Sequence, residues 1–374
     1  MLLEIAGAAS LLVWIYLVFG RGGFWRTRRR GPRDVSRGLE PGIVAVIPAR
    51  NEVSVVGRAI ASLAKQDYGG PFHIVLVDDT SSDGTAEAAR SSAPPEMLTV
   101  LSGAGLAGGW TGKLWAVSQG IAAASRYNPE YLLLTDADIV HPSDAVRVLV
   151  GQAMEGYDLV SWMVTLRSES LAERALMPAY VFFFFMLYPP AWIRDPRHRT
   201  AGAAGGSMLV RRAALERIGG IQSIRGELID DCALARAIKR ANPPGRIRLE
   251  LSREARSIRD EGGFREIFHM ISRTAYTELR YSPLLLLAAV AGIAVTFFLP
   301  PVTAICGSRA GLAAWLLLVI AYLPMLRFYR RSVWWAPMLP AVAAFYLGAS
   351  LHSAWCWRRG TAGMWKGRAQ GKLS

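Results

Sequence analysis

Tyr131-Leu132-Leu133-Leu134-Thr135-Asp136-Ala137-Asp138 is an apolar run that ends in two carboxylates two positions apart. Successive strand residues point to opposite faces, so positions i and i+2 share one. A buried strand ending this way predicts that Asp136 and Asp138 reach one divalent cation, or the cation and a ribose. Mg²⁺ and Mn²⁺ take oxygen ligands, and commonly bind through one or two carboxylates plus a substrate's phosphates. A second acidic pair, Asp230-Asp231, lies far downstream and is left to take a proton. Metal, phosphate and base together point to transfer of a phosphate-activated group.

Upstream, strands alternate with helices. Ile43 to Ile47 is a short β-branched strand ended by Pro48, and Ser54 to Gln66 has helical periodicity through Val55, Val56, Ile60 and Leu63. His73 to Val77 and Leu98 to Leu101 read as further strands, with helices over Thr85 to Arg90 and Lys113 to Ser125. Tyr131 to Thr135 is the fourth strand. This alternation predicts an α/β fold with a mostly parallel sheet and flanking helices. Ligands in such sheets bind beyond the carboxyl ends of the strands. Three polar clusters fall at those ends: Pro48 to Glu52, Asp78-Asp79 and Asp136 to Asp138.

The flanks of the 374-residue chain are of another kind, and 52% of the whole is apolar. Leu2 to Phe19 is nearly unbroken, with Glu4 its only charge, and is about long enough to span a bilayer. Seven arginines follow between Arg21 and Arg37, after the apolar run, with no small-residue cleavage site before them. An uncleaved anchor (1–20) with a basic juxtamembrane linker (21–40) in the cytoplasm is the expectation. Pro283 to Ile305, Ala310 to Leu326 and Trp334 to Leu351 are further candidate membrane segments within 281–354. The last contains Pro337 and Pro340 and reads as spanning, re-entrant or interfacial. Ala175 to Trp192, with Phe182-Phe183-Phe184-Phe185, reads as an interfacial element or a buried core helix. A crossing there would put Asp136 and Asp231 on opposite sides of the membrane.

The excess of 43 Lys+Arg over 29 Asp+Glu, +14 in all, flanks the hydrophobic segments at Arg26–Arg33, Arg327–Arg331 and the 355–374 tail. That is topogenic charge facing anionic lipid, and it argues against a nucleic-acid partner. Cys232, Cys306 and Cys356 are scattered, which speaks against structural zinc and for a reducing compartment.

The order of Val46-Ile47-Pro48-Ala49-Arg50-Asn51-Glu52, Val77-Asp78-Asp79-Thr80-Ser81-Ser82-Asp83-Gly84-Thr85 and Asp136-Ala137-Asp138 resembles the inverting family 2 glycosyltransferases of GT-A fold. The resemblance covers roughly Pro41 to Arg280, giving a cytoplasmic catalytic domain over 41–280. Gly109-Trp110-Thr111-Gly112-Lys113, Leu228 to Ala235, Arg273 to Thr277 and Trp365-Lys366-Gly367-Arg368 are similar to the membrane-bound hopene-associated enzymes of bacterial hopanoid clusters.

The resemblance implies that Pro48, Ala49, Asn51, Glu52 and Asp79 contact the nucleotide. It implies that Lys113 faces the diphosphate, and that Asp231 removes the acceptor proton. Asp230 stands where Glu is usual. Each position also has a plainer reading: a strand-to-helix turn capped by Asn51 or Ser54, a surface lysine at 113, an N-cap at Asp230. Gly108 to Lys113 is not a Walker A loop, because Leu114 follows the lysine. Gly205 and Gly206 suit an acceptor-side loop or a tight turn. Met270-Ile271-Ser272-Arg273-Thr274 keeps the arginine of the processive Gln-x-x-Arg-Trp motif without its Gln and Trp, which implies single-sugar addition. Arg273 is expected at the diphosphate.

The expected activity is transfer from a nucleotide-diphosphate sugar, implied to be UDP-linked, to a hydroxyl of a membrane lipid, a hopanoid by resemblance. The expected setting is the bacterial cytoplasmic membrane, with Mg²⁺ or Mn²⁺ as cofactor. Polyprenyl phosphate or a sphingolipid-like acceptor is the alternative within the enzyme class. A non-catalytic membrane scaffold is the alternative outside it.

Overall fold

The computed structural model describes residues 2–27 and 40–360, with the short antiparallel strand pair Met364–Trp365 and Arg368–Ala369. The basic runs beyond residue 27 and beyond residue 360, and the side chains of the Trp365 to Arg368 motif, lie outside the described residues. Contacts divide the described chain into two units. One comprises 40–166 and 193–259; the other comprises 2–27, 167–192 and 260–360.

The first unit is built on one sheet of β1 (Ile43–Ala49), β2 (Phe72–Asp78), β3 (Leu98–Ser102), β4 (Tyr131–Thr135), β5 (Ile139–Val140), β6 (Leu159–Thr165), β7 (Ser207–Arg211) and β8 (Ile247–Ser257). Its order is β3-β2-β1-β4-β7-β6-β8-β5. The first four strands are parallel; β7 runs antiparallel to β4 and β6, and β8 runs parallel to β6. Every residue of β1 is buried, as expected of a parallel strand covered on both faces. On one face Ile43, Ala45 and Ile47 pack with Ile60, Leu63, Leu133 and Leu149. On the other, the helix Gly112–Ala124 lies close to the sheet at Gly120, where a Cβ would stand 2.4 Å from Val46 Cγ1.

β4 and β5 are separated only by Asp136-Ala137-Asp138, yet three strands lie between them in the sheet, with β5 pairing to β8 at the far edge. The sheet therefore curls back on itself at this point. β4 ends at Thr135, so the two aspartates lie in a turn, closed by the Ile139 N–H donating to the Asp136 carbonyl at 3.3 Å. The strand periodicity expected to align them does not extend that far.

The second unit is helical. Leu2–Gly20, Pro283–Ile305 and Arg309–Phe328 are the described helices long and apolar enough to cross a membrane. Leu339–Arg358 is also 20 residues long but falls short in apolarity. It begins later than the Trp334 to Leu351 segment, after a 3-10 turn at Val333–Trp335. Gly7 lets the first helix approach Ser308 and Gly311, the small-residue contact favoured between membrane helices. Ser10 and Trp14 donate to the Val295 and Thr296 carbonyls at 2.6 and 2.7 Å, inside the π-helical stretch Ala294–Phe298.

Most of Ala175 to Trp192 falls in one partly buried helix. It runs Leu171–Leu187, opens with a Ser170/Glu173 capping box and buries Met177, Val181, Phe182 and Phe185. The Phe182 ring meets Tyr322 edge-on at 5.1 Å, and Phe183 meets Phe297 and Tyr346. This helix and residues 260–280, expected within a single 41–280 domain, group with the apolar helices.

Candidate active site

Five segments of the sheet unit converge on a cleft lined by Pro48, Lys113, Asp136, Gly205 and Asp230. Thr111 caps the helix Gly112–Ala124 by accepting the Leu114 N–H, which fixes Lys113 in the first turn. The Lys113 ammonium lies between Asp136 Oδ1 at 3.0 Å and Asp230 Oδ2 at 3.2 Å. Burial works against its charge, but Asp136, Asp230 and Asp231 outweigh that and raise its pKa above the ordinary lysine value.

Asp230 and Asp231 are the first two residues of the helix Asp230–Lys239, preceded by Ile229 as N-cap, so Asp230 is not itself the cap. Asp231 Oδ2 accepts the Gly205 N–H at 2.8 Å, and Oδ1 accepts the Cys232 N–H at 2.7 Å. Burial and then the neighbouring Asp230 raise its pKa to about 7, with Lys113 and the two N–H groups pulling the other way. Gly205 leaves room for this approach: a Cβ there would stand a tight 3.3 Å from Asp231 Oδ2 and 3.5 Å from Lys113 Nζ. Behind it, Thr135 Oγ1 donates to the Gly206 carbonyl at 2.7 Å. His141 meets Ser207 at 3.2 Å and is kept neutral by burial, its pKa lowered to about 4.

Asp136 and Asp138 do not share partners. Asp136 is about one-third exposed at the cleft with Lys113, whereas Asp138 is buried. Asp138 Oδ2 accepts the Ser257 hydroxyl, and Oδ1 faces Arg259 Nη2 at 3.3 Å. The same Nη2 meets Glu52 Oε1 at 2.7 Å. Burial raises the pKa of Asp138, opposed by Arg259 and Ser257.

The residues expected at the nucleotide brace one another. Asp79 is buried; its N–H donates to the Ala49 carbonyl at 2.8 Å, and Arg50 Nη1 lies 3.8 Å from its Oδ2. Arg50 also donates to the Asp79 carbonyl and to Thr80 Oγ1. Asn51 takes a left-handed φ of 51°, donates its N–H to Ser81 Oγ and accepts the Ser82 N–H. Neither Asn51 nor Ser54 is a cap: the N-cap of Val53–Ala64 is Glu52, and Asp83 accepts the Val53 N–H instead.

Two sets of contacts thus meet at the turn after β4: Asp136 joins Lys113 and Asp230, while Asp138 joins Arg259 and Glu52. Arg273 follows the helix Phe264–Ser272 in the other unit. Arg50, Ser257 and Arg259 were missed in the sequence. Arg50 lay inside a quoted motif, while Ser257 and Arg259 carry only the signal of polar residues at the carboxyl end of a strand.

Among the described residues no three His, Cys, Asp or Glu side chains could hold a metal by themselves. The donor set nevertheless fits a hard cation. Asp136 is accessible, a cation (the Lys113 ammonium) already sits against it, and carboxylates outnumber the cations Lys113, Arg50 and Arg259. One or two carboxylates completed by substrate phosphates is a usual Mg²⁺ arrangement.

Residues 44–219 match the family described as Glycosyl transferase family 2. The structure resembles the mannosyltransferase PcManGT from Pyrobaculum calidifontis, solved with GDP-Man and Mn²⁺. The TM-score is 0.55 and the identity 21%, over 93% of this chain and 99% of that one, which shows a common fold. The protein MJ1222 of Methanocaldococcus jannaschii is 35% identical over 118 residues, 31% of this chain and 44% of that one. The undecaprenyl-phosphate 4-deoxy-4-formamido-L-arabinose transferase of Aeromonas hydrophila is 29% identical over 131 residues, 34% of this chain and 38% of that one. The chain thus spans less than half the length of these two relatives. The fold is GT-A, and residues 44–219 match the family 2 glycosyltransferase model.

Proposed function

We propose that this protein is a membrane-bound inverting glycosyltransferase that moves one sugar from a nucleotide-diphosphate donor to a hydroxyl of a membrane lipid. The observation that carries this reading is Asp231. Its carboxylate is aimed by the Gly205 and Cys232 N–H groups, beside the Lys113 ammonium, with a pKa near neutrality. A general base works best with its pKa near the working pH. Asp231 takes the proton from the acceptor hydroxyl as the acceptor oxygen attacks the anomeric carbon, and the bond to the diphosphate breaks on the opposite side.

Lys113 offsets charge on the departing diphosphate. Asp136, with Asp138 next to it, would hold a divalent cation, which supplies further electrostatic stabilisation of that leaving group. Pro48, Ala49, Asn51, Glu52 and Asp79 hold the nucleotide, UDP in this reading, with Arg273 assigned to the diphosphate. Gly205 and Gly206 form the acceptor side. The apolar helices anchor the enzyme in the bacterial cytoplasmic membrane, with the donor site facing the cytoplasm.

The curated relatives suggest a second acceptor, polyprenyl phosphate. A phosphate acceptor arrives already ionised and needs no base. Asp231 therefore favours a hydroxyl, and a hopanoid polyol is the acceptor we assign. Detergent-solubilised protein with labelled UDP-sugars, Mn²⁺ and either a hopanoid polyol or polyprenyl phosphate tests this. A glycosylated polyol that disappears in Asp231→Asn supports the reading. Product on polyprenyl phosphate alone, indifferent to Asp231, overturns the acceptor assignment.

A further inference from the structure

Asp138 belongs to the acidic turn that the proposed function uses for the cation, yet both its oxygens are engaged within the protein. Oδ2 accepts the Ser257 hydroxyl, and Oδ1 faces Arg259 Nη2 at 3.3 Å. The guanidinium also reaches Glu52 Oε1 at 2.7 Å, so one cationic nitrogen serves two buried carboxylates from different loops. Arg259 is the more exposed partner, at 31% against 7% and 8% for the Glu52 and Asp138 side chains. Its backbone sits just past the end of β8, where the Ile258 N–H donates to the Asp138 carbonyl at 3.0 Å. A metal ion and a guanidinium compete for the same carboxylate charge, because each offsets it.

We propose that Arg259 is a positioning residue that acts as a built-in counter-cation of Asp138: an incoming divalent cation takes Asp138 only by displacing Arg259. The displaced guanidinium keeps Glu52 as its anchor and turns its planar donor fork toward the donor diphosphate, the bidentate partner that arginine suits. Removing Arg259 then has two effects of opposite sign. The bare cation binds more tightly, because its competitor is gone, while the nucleotide-sugar binds more weakly, because a phosphate contact is lost. A purely structural role for Arg259 would weaken both. The inference rests on the proposed donor-and-cation reading of the site.

The test is Mn²⁺ binding to the full detergent-solubilised protein without donor, followed by electron paramagnetic resonance, alongside the KM for the donor. Arg259→Gln is expected to lower the Mn²⁺ dissociation constant about five- to twentyfold and to raise the donor KM about tenfold or more. Arg259→Lys, which keeps a cation, is expected to stay within about threefold of wild type for Mn²⁺. Adding Asp138→Asn to Arg259→Gln should abolish the gain. Unchanged or weaker Mn²⁺ binding in a folded Arg259→Gln overturns the proposal.

Hydrogen exchange of the unmutated protein guards against a variant that does not fold. Mn²⁺ alone should alter exchange in the peptide carrying Ser257 to Arg259, and no change there also overturns the inference. Wild-type protein that binds Mn²⁺ with these responses but transfers no sugar would overturn the proposed activity and leave the role of Arg259 standing.

Discussion

At the residue scale the decisive group is Asp231, and its environment makes signed predictions. As the proposed base it must be ionised, so kcat/KM should fall about tenfold per pH unit below about pH 7. Because Asp230 adjoins it, the inflection belongs to the pair. Asp231→Asn should cost at least about 10²–10⁴ in kcat while leaving the donor KM within a few-fold. A flat pH profile, or an active Asp231→Asn, would remove it from the chemistry. The sign for stability follows from the raised value. The folded state holds the proton more tightly than the unfolded chain, so this group's contribution is lost as pH rises from its ordinary 3.8 toward about 7. The melting temperature should therefore drop more across pH 5–8 in wild type than in Asp231→Asn, as calorimetry would show. Gly205→Ala places a methyl against Asp231 and Lys113. It should lower kcat about tenfold or more with little loss of melting temperature.

At the element scale the helix Gly112–Ala124 carries Lys113 to the cleft, and two features hold it. Thr111 satisfies the first turn, and Thr111→Ala should cost about 1 kcal/mol in a denaturant titration. Gly120 permits the helix to lie on β1 and β2. A Cβ would meet Val46 Cγ1 at 2.4 Å and Val77 Cγ2 at 3.1 Å. Gly120→Val should therefore destabilise by about 1–3 kcal/mol or more through overpacking. Normal stability in that variant would show that the helix sits farther from the sheet. The first four strands were legible because parallel pairing buries both faces, leaving unbroken apolar runs such as Ile43 to Ile47. β8 was not legible. Charged residues are mostly exposed in folded proteins, yet Arg248 is buried, paired with Glu155 at 3.0 Å and with Glu250, and lies over the Tyr157 ring.

At the scale of the whole molecule, three described helices have the length and apolarity of membrane spans, with Leu12, Leu284 and Ile305 exposed on them. Apolar side chains presented outward at this density suit lipid better than water. The protein should therefore sediment with membranes, resist high salt and alkaline carbonate, and come off only in detergent. Release by salt alone would mean that basic charge, screened within about 10 Å at 0.1 M salt, is all that holds it there.

The sequence by itself determined the alternating strand–helix order, the acidic pair after β4, the lysine opening a helix and the apolar flanks. Each is a local matter of periodicity, capping and composition. Only the tertiary structure decided what those residues touch. The curl that brings the end of β8 back to the turn after β4 assigns Asp138 to Ser257 and Arg259 rather than to the face it would share with Asp136 on a longer strand. It is also folding that delivers Gly205 to Asp231 across 26 residues of chain. Contacts of that kind depend on how distant segments close on one another, and no local pattern of residue types encodes the distance between two side chains that meet only once the sheet has formed.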